Sequence, residues 1–351
     1  MNIFCTLFDS KYLDKGLALY YSMEKVMREF TLYIFAFDKK CEDTLNALNL
    51  NHAIVIGLQE FETDQMLKLK TERSKAEYCW TCTPISIEYV FDKYKASICT
   101  YLDADLYFFS NPSVLLDEIK SDEYSVMITE HRFQDNKKGR RLKDKNGKYF
   151  VQFNTFKNNE QGRRVLSWWR EKCIEWCYFR HEDNRMGDQK YLDNWTKDFK
   201  GVHELKNLGG GLAYWNLMKY DFSRIEKGEM FLRTRKNNEE FKVVFVHFQN
   251  LRYLPFNKIN LKAGSFSKEI KYPLYFTYLS HIEKIRAMIY KEYRVSFEAT
   301  KSCSTNKLVA FIQTNMMQFK VRNISDIVDL KSIHESKYLI DIKGFENENI
   351  V

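Results

Sequence analysis

The sequence has little proline and glycine and no long apolar run. Its 351 residues include 4 prolines and 13 glycines, too few for long disordered linkers. No apolar run reaches the roughly 18 residues that a membrane-spanning helix needs. The opening MNIFCTLFDSKYLDKG lacks the basic and apolar regions of a signal peptide, so we expect the protein to stay in the cytoplasm.

Apolar and aromatic residues are plentiful, at 44% and 16% of the chain. This length and composition predict one large domain plus an appendage, or two domains. The 55 Lys and Arg exceed the 47 Asp and Glu by 8, which favours anionic partners such as phosphates or an anionic membrane surface. We expect no nucleic-acid binding, because this excess is dilute and no recognition helix stands out.

The eight cysteines of a chain without a signal peptide are typical of reduced thiols. Cys79 and Cys82, with Cys173 and Cys177, have a spacing that could form a structural zinc site. Each pair adjoins a tryptophan, however, where free thiols pack as small hydrophobic groups. We favour the second interpretation.

Short apolar runs at 2–8, 32–37 and 53–57 alternate with helical periodicity at 13–30 and 41–48. Strands and helices that alternate in units of this length predict an α/β domain with a mainly parallel sheet. Such sheets bind ligands beyond the carboxyl ends of their strands.

The central motif is Asp103-Ala104-Asp105, which follows a β-rich run from Ile98. If a buried strand ends at Leu102, the two carboxylates point the same way and repel each other unless a cation lies between them. Carboxylate oxygens suit Mg²⁺ or Mn²⁺, which commonly bridge to phosphates. A pair of solvated aspartates is the alternative; Tyr107 excludes the phosphatase motif that requires Thr there.

Asp9 ends the first strand and should share one cleft with the Asp103 strand end. Arg73 and Lys75 arrive just before the Asp103 strand and could neutralise phosphates there, although a solvated helix start explains them equally well. The polar, basic segment 131–148 is predicted to be a mobile loop, mainly solvated, with closure over an anionic ligand as the alternative.

Further candidates lie downstream. Asn154, on a predicted strand, has an amide suited to sugar hydroxyls. Asp188 and Gln189 could contact a ligand in the cleft or could be an N-cap pair. His247, near the end of an apolar strand, could be a third ligand for Mn²⁺ beside two carboxylates, although such a histidine is usually structural.

The pattern changes after about Ile259, and we divide the chain into a catalytic domain at 1–258 and a mainly helical appendage at 259–351. The appendage is predicted to hold a helix at 274–293 and a small mixed tail at 311–322 and 338–344. Its basic helix could touch an anionic membrane, and packing onto the main domain is the favoured interpretation.

As an ordered set, these residues resemble the GT-A glycosyltransferases, most closely the retaining family 8 type that includes bacterial lipopolysaccharide sugar transferases. The set comprises Asp9, Tyr-Leu-Asp-Ala-Asp, Asn154, Gly-Asp-Gln and His247, and the resemblance covers about residues 1–255. Two further stretches, 77–84 and 187–193, are similar to poorly characterised bacterial relatives. The resemblance implies a GT-A fold, with a Rossmann-like, mainly parallel sheet flanked by helices.

The resemblance also implies a role for each matching residue. Asp103, Asp105 and His247 would bind Mn²⁺ or Mg²⁺, which grips the diphosphate of the donor. The other implied roles are contact with the nucleoside by Asp9 and Tyr12, a donor-binding cation at Arg73 or Lys75, contact with the donor sugar by Asn154 and Asp188, and stabilisation of positive charge at the anomeric carbon by Gln189.

Two departures from the family pattern stand out. The family's His-x-x-Gly-x-x-Lys clamp runs here from His247 to Arg252, with Asn250 in place of Gly and the basic residue one position early. Phosphate contact by Arg252 is the corresponding expectation. The loop after the first strand is also one residue longer than the family's.

The implied activity moves a sugar from a nucleotide-diphosphate sugar, with UDP favoured, to a glycan or glycolipid acceptor in surface-polysaccharide or lipopolysaccharide biosynthesis. We expect retention, by a metal-dependent enzyme at the inner face of the cytoplasmic membrane; an inverting enzyme would need a base, for which Asp188 is the candidate. One alternative is a nucleotidyltransferase, although 9–16 has no Gly-rich signature loop. The other is a non-catalytic binding protein with a decayed site.

Overall fold

The structure is a computed structural model that describes residues 2–255, 257–264, 266–297, 326–334 and 339–340. The predicted tail at 311–322, and residues 338 and 341–344, lie outside the described residues.

Sixteen strands lie in the described part of the chain. They are β1 Asn2–Phe8, β2 Phe30–Ala36, β3 Ala53–Gly57, β4 Ile98–Leu102, β5 Leu106–Phe108, β6 Val126–Glu130, β7 Tyr149–Lys157, β8 Val202–Glu204, β9 Leu212–Ala213, β10 Tyr220–Glu226, β11 Glu229–Thr234, β12 Glu240–Lys242, β13 Phe245–His247, β14 Arg252–Leu254, β15 Lys258–Asn260 and β16 Ile327–Asp329.

The described helices are α1 Leu13–Val26, α2 Lys39–Leu48, α3 Leu58–Phe61, α4 Asp64–Glu72, α5 Lys75–Tyr94, α6 Ser113–Leu116, α7 Lys137–Asn146, α8 Glu160–Glu175, α9 Trp195–Asp198, α10 Lys268–Tyr293 and α11 Leu330–His334. Short 3₁₀ turns occupy Asp117–Ile119, Lys190–Asn194 and Leu217–Lys219. Side chains cap the starts of α2, α4, α5, α7 and α8. At α5, for example, Ser74 and Glu77 form a reciprocal capping box.

Seven strands form the central sheet, in the order β3-β2-β1-β4-β7-β6-β8. The pairs β1–β2, β1–β4, β2–β3 and β6–β8 are parallel, and β4–β7 and β6–β7 are antiparallel. The prediction of an α/β fold with a mainly parallel sheet flanked by helices is therefore confirmed.

The sheet is covered on both faces, which explains why its strands are almost continuously apolar. In β1, Phe4 joins one apolar core and Cys5 joins the other, because successive side chains point to opposite faces. The first core is completed by α1 and α10, and the second by α5 and α8.

A small second sheet, in the order β5-β13-β9, positions the end of β13 beside the end of β4. Antiparallel pairing of β13 with β5 sets His247 opposite Leu106. The Phe248 amide also donates to the Asp105 carbonyl at 3.0 Å. A residue far along the chain is thereby brought to the Asp-x-Asp turn.

The prediction of a loop throughout 131–148 is wrong, because this segment contains α7. The Asn136 side chain caps the helix by accepting from the Gly139 amide at 2.8 Å, and Lys and Arg are good helix formers. Gly147, at φ 98°, ends it. Gly139 has to be glycine, since a Cβ there would lie 1.7 Å from the Gln134 carbonyl oxygen.

The helix predicted at 274–293 is present and begins earlier, at Lys268. Its Leu274 and Ile282 belong to the same core as Phe4 of β1, and Lys271 forms a buried ion pair with Asp326 at 2.7 Å. The division at 258 stays a prediction. Within the described residues, no helix is both long and apolar enough to cross a membrane.

Candidate active site

Two carboxylates and an imidazole converge where β4 and β13 end. Asp103, Asp105 and His247 offer ligand atoms that all lie within 4.8 Å of one another. The His247 Nε2 atom is 2.7 Å from Asp105 Oδ1 and 3.8 Å from Asp103 Oδ2. In the described part of the chain, this is the one group of three or more acidic, Cys or His side chains with such geometry.

Gln152 on β7 holds the imidazole. Its Oε1 lies 3.1 Å from His247 Nδ1 and accepts the proton of that nitrogen, which leaves Nε2 facing the carboxylates. Two carboxylate oxygens and one oriented imidazole nitrogen fit Mn²⁺ or Mg²⁺, and a fixed partner on the far ring nitrogen is typical of metal-binding histidines. The residues present therefore suit the predicted metal.

Burial and charge set the protonation of this group. Burial, followed by the charge of Asp105, raises the pKa of Asp103 to about 7. Burial acts in the same direction on Asp105, but the adjacent His247 outweighs it and lowers the pKa of Asp105. The carboxylates in turn raise the pKa of His247 against the effect of burial. The cluster is thus an ion pair plus a carboxyl that is readily protonated, and a cation would relieve its repulsion.

The cluster lies in a cavity of about 700 Å³. Of the residues predicted from the sequence, the cavity lining includes Asp9, Tyr12, Lys75, Asp103, Asp105, Asp188, Gln189 and His247. The ends of β1 and β4 thus open into one cleft, as the parallel sheet predicts.

Lys75 and Arg73 are two residues apart, but the Lys75 side chain reaches the cavity and the Arg73 side chain reaches the end of α8. The Lys75 ammonium is 3.8 Å from Asp9 Oδ2 at the cavity, and its side chain is 79% exposed. Arg73 is buried outside the cavity lining and donates to the carbonyls of Cys173 and Ile174 at 2.8 and 2.6 Å. The structure brings Lys75, and not Arg73, to the other candidates.

Asn154 and Arg252 also lie outside the cavity lining. Asn154 is fully buried, and its amide has no hydrogen-bond partner among the described residues. Arg252 is exposed on β14, whereas Gln249 and Asn250 from the same segment line the cavity. Asn250 has φ 69°, a left-handed conformation that glycine adopts freely and asparagine tolerates, which explains how it can stand at the family's Gly position.

Asp188 and Gln189 both line the cavity. Burial and the charge of Asp103 raise the pKa of Asp188 well above its usual range, which disfavours the ionised carboxylate. The Nε2 atom of Gln189 donates to the Asn146 carbonyl at 2.6 Å, which fixes the amide against the end of α7.

Several residues of the site were missed by the sequence reasoning: Gln152, which lies behind His247, and the aromatic residues of the cavity lining. Gln152 could have been found from its position two residues before Asn154 on the same strand. The aromatic wall has no short motif, because its members come from separate elements; it consists of Trp80, Phe133, Phe150, Phe179, Tyr214 and Trp215. Phe179 is 70% exposed, and its ring lies tilted against that of Trp80, with ring centroids 5.6 Å apart.

The predicted zinc alternative has no support in the described residues. All seven described cysteines are free thiols, and six of them are fully buried, as expected for small hydrophobic groups.

Among solved structures, this chain is similar to glycosyltransferases. The galactosyltransferase LgtC, in complex with donor and acceptor sugar analogues, matches with a TM-score of 0.46 and 14% identity, over 71% of this chain and 87% of LgtC. Mouse xyloside xylosyltransferase 1 matches with a TM-score of 0.41 and 10% identity, over 61% of this chain and 87% of that one. The function proposed below rests on this chain's own site.

Two curated relatives come from Bacillus subtilis (strain 168), and both are described as uncharacterized proteins. YfnD is 28% identical over 261 residues, which are 74% of this chain and 80% of YfnD. YfnF is 27% identical over 263 residues, which are 74% of this chain and 84% of YfnF. No protein-family model matches the chain.

Proposed function

We propose that this protein is a metal-dependent glycosyltransferase that moves a sugar from a nucleotide-diphosphate sugar, UDP favoured, to a glycan or glycolipid acceptor with retention. The observation that carries the proposal is the convergence of Asp103, Asp105 and His247 at the strand ends, inside a cavity of about 700 Å³. A cavity of this volume can enclose most of a nucleotide sugar.

In this proposal Asp103, Asp105 and His247 hold Mn²⁺ or Mg²⁺. Gln152 orients the imidazole of His247 for this role. When bound, the ion offsets the negative charge that develops on the departing diphosphate. The side chains hold their oxygens and nitrogen in place before the donor arrives, so little reorganisation is needed at the moment of reaction.

The nucleoside side of the cavity is assigned to Asp9, Tyr12 and Lys75. Tyr12 is 42% exposed, which leaves its ring available to pack on a base. The Lys75 ammonium can leave its loose, exposed contact with Asp9 for a phosphate oxygen, because such a solvated ion pair is worth little.

The sugar side is assigned to Asp188 and Gln189. The Asp188 carboxyl can form a hydrogen bond with a sugar hydroxyl. With Nε2 fixed on the Asn146 carbonyl, the remaining Oε1 atom of Gln189 is the polar atom available to stabilise positive charge at the anomeric carbon. Roles for Asn154 and Arg252 at the donor stay part of the resemblance, without support from their positions.

The resemblance also supplies the biological setting in the proposal. From it we infer an acceptor in surface-polysaccharide or lipopolysaccharide biosynthesis and an enzyme in the cytoplasm, with peripheral contact at the inner face of the membrane as an open alternative.

The test is donor hydrolysis with Mn²⁺ across a panel of sugar nucleotides, in the wild type, in Asp105→Ala and in the control Asp122→Ala, which removes an exposed carboxylate far from the lining. We expect release of a nucleoside diphosphate from one donor, lost in Asp105→Ala alone. Products of pyrophosphate exchange would indicate a nucleotidyltransferase instead. Absence of both turnover and metal-dependent nucleotide binding would refute the proposal.

A further inference from the structure

A second, smaller groove lies next to the cavity, between α7 and the segment that leads from α8 to Asp188. Its volume is about 370 Å³. The side chains that matter here are Arg141, Asp144 and Lys145 from α7, and His181, Arg185 and Lys190 from the facing segment.

The groove is positively charged, with four cationic side chains and one carboxylate in its lining. Arg185 is paired with Asp183 at 3.1 Å, and Lys190 with Asp193 at 2.9 Å. Arg141 and Lys145 have no ion-pair partner among the described residues. Two cations facing the groove therefore have their charge uncompensated.

The surroundings reinforce this charge. Helix α7, with the sequence KKGRRLKDKN, carries six cationic side chains and one carboxylate. Partial burial and the nearby charges of Lys145 and Lys190 lower the pKa of His181, which lies on the facing segment. This shift is consistent with a positive potential in the groove. Like charges crowded in this way are stabilised by an anion.

Helix α7 is a wall shared by the groove and the cavity. Arg141 and Lys145 line the groove, whereas Leu142 and Asn146, each one position further along the helix, line the cavity. The Asn146 carbonyl also accepts the amide of Gln189, the residue assigned to the sugar's reacting carbon. A molecule held in the groove would therefore lie close to the sugar end of the cavity.

We propose that this groove binds an anionic group, a phosphate or a carboxylate, carried by the acceptor glycan. This inference rests on the glycosyltransferase function proposed above. The donor diphosphate is assigned to the Asp103 cluster inside the cavity, so an anion on the other side of α7 belongs to the second substrate. Arg141 can bind such a group through two parallel hydrogen bonds, and Lys145 adds a mobile point charge.

The test measures dissociation constants by NMR titration with glucose 6-phosphate, glucuronate and uncharged glucose. The variant Arg141→Gln/Lys145→Gln removes two charges from the groove. Its matched control, Lys137→Gln/Lys138→Gln, removes two charges from exposed positions of the same helix that lie outside both linings. Circular dichroism checks folding, and Lys145→Gln alone replaces the double variant if that fails to fold.

We expect at least one anionic sugar to bind wild type more tightly than glucose, with a loss of about tenfold in the groove variant and less than about twofold in the control. Which sugar binds distinguishes phosphate from carboxylate. Equal losses in both variants, or no preference over glucose, would overturn the proposal. So would binding to phosphatidylglycerol vesicles that the two variants weaken equally, since that indicates a diffuse membrane-facing charge.

Repeating the titration with Asp105→Ala separates the two proposals. Sugar binding should persist in this variant, because the groove lies outside the metal cluster. If donor hydrolysis fails but the anionic sugar still binds through Arg141 and Lys145, the transferase assignment falls and the anion site stands.

Discussion

Replacing Arg73 with alanine should damage stability and leave nucleotide binding intact. The Arg73 guanidinium donates to the carbonyls of Cys173 and Ile174 and to the Thr81 hydroxyl. Helix α8 ends at Glu175, so these two carbonyls belong to its last turn and have no donor within the helix. Arg73 therefore caps α8, and its positive charge also suits the negative end of the helix dipole.

The magnitude follows from the groups left behind. Arg73 is 7% exposed, so in Arg73→Ala water reaches the two carbonyls poorly. A buried acceptor without a donor costs about 1–3 kcal/mol, so two of them, with the lost dipole interaction, should destabilise the protein by about 3–5 kcal/mol. That is a large part of the ~5–15 kcal/mol by which domains are stable. Lys75→Ala removes an exposed side chain and should change stability by less than about 0.5 kcal/mol.

Urea unfolding and calorimetric binding of UDP with Mn²⁺ measure both quantities. Arg73→Ala should lower the urea midpoint with an unchanged slope and keep wild-type affinity under conditions where it is folded. Lys75→Ala should keep the midpoint and lose about tenfold in affinity. The opposite pattern, with wild-type stability and lost affinity in Arg73→Ala, would refute the assignment of Arg73 to the cap and of Lys75 to the donor.

Three further predictions follow from the site and the C-terminal segment. Gln152→Leu should reduce Mn²⁺ affinity by about 10–100-fold in calorimetry, since the His247 ring loses its orienting acceptor; unchanged affinity would contradict that role. Mn²⁺ needs the ionised form of Asp103, whose pKa is about 7, and the neutral imidazole of His247, whose pKa is also raised, so its affinity should fall by at least about tenfold per pH unit below pH 7; a profile flat from pH 8 to 5.5 would exclude this. Asp326→Ala should destabilise the protein by about 3–5 kcal/mol in urea unfolding, because the Lys271 side chain is 4% exposed and would keep an uncompensated charge; a change below 1 kcal/mol would show the pair to be dispensable.

The central part of the site could be predicted because it depends on short-range rules. Side chains in a strand repeat every two residues, so Asp103 and Asp105 could be placed together, and parallel strands share one edge for their carboxyl ends, so Asp9 could be added. His247 was different. No local rule relates His247 to the Asp-x-Asp turn, since the pairing of β13 with β5 is between distant parts of the chain. His247 was predicted as a ligand from the chemistry of metal ligands and from the family resemblance.

The sequence did not predict which way individual side chains point. Arg73 and Lys75 flank the break between α4 and α5, and the two-residue difference sends one side chain to α8 and the other to the cavity. On β7, Gln152 reaches His247 while Asn154 is buried beside Tyr101 across the strand pair, where the register with β6 also shifts. Sequence patterns do not determine these side-chain directions, because a single bulge or helix break changes the face to which the following side chains point.

The distribution of charge around the cavity bears on stereochemistry. In the described lining the carboxylates are Asp9, Asp103, Asp105 and Asp188; the two of the metal cluster lie together and Asp9 is assigned to the nucleoside. An inverting transferase needs a base on the face of the sugar away from the leaving group. Asp188 is the remaining candidate, with a pKa that burial and the charge of Asp103 raise, and burial lowers the pKa of His131 to about 3, which makes its imidazole a weak base. In the proposed transferase, retention would not need such a base, because the departing phosphate oxygen lies on the same face as the broken bond and can itself accept the proton of the acceptor hydroxyl.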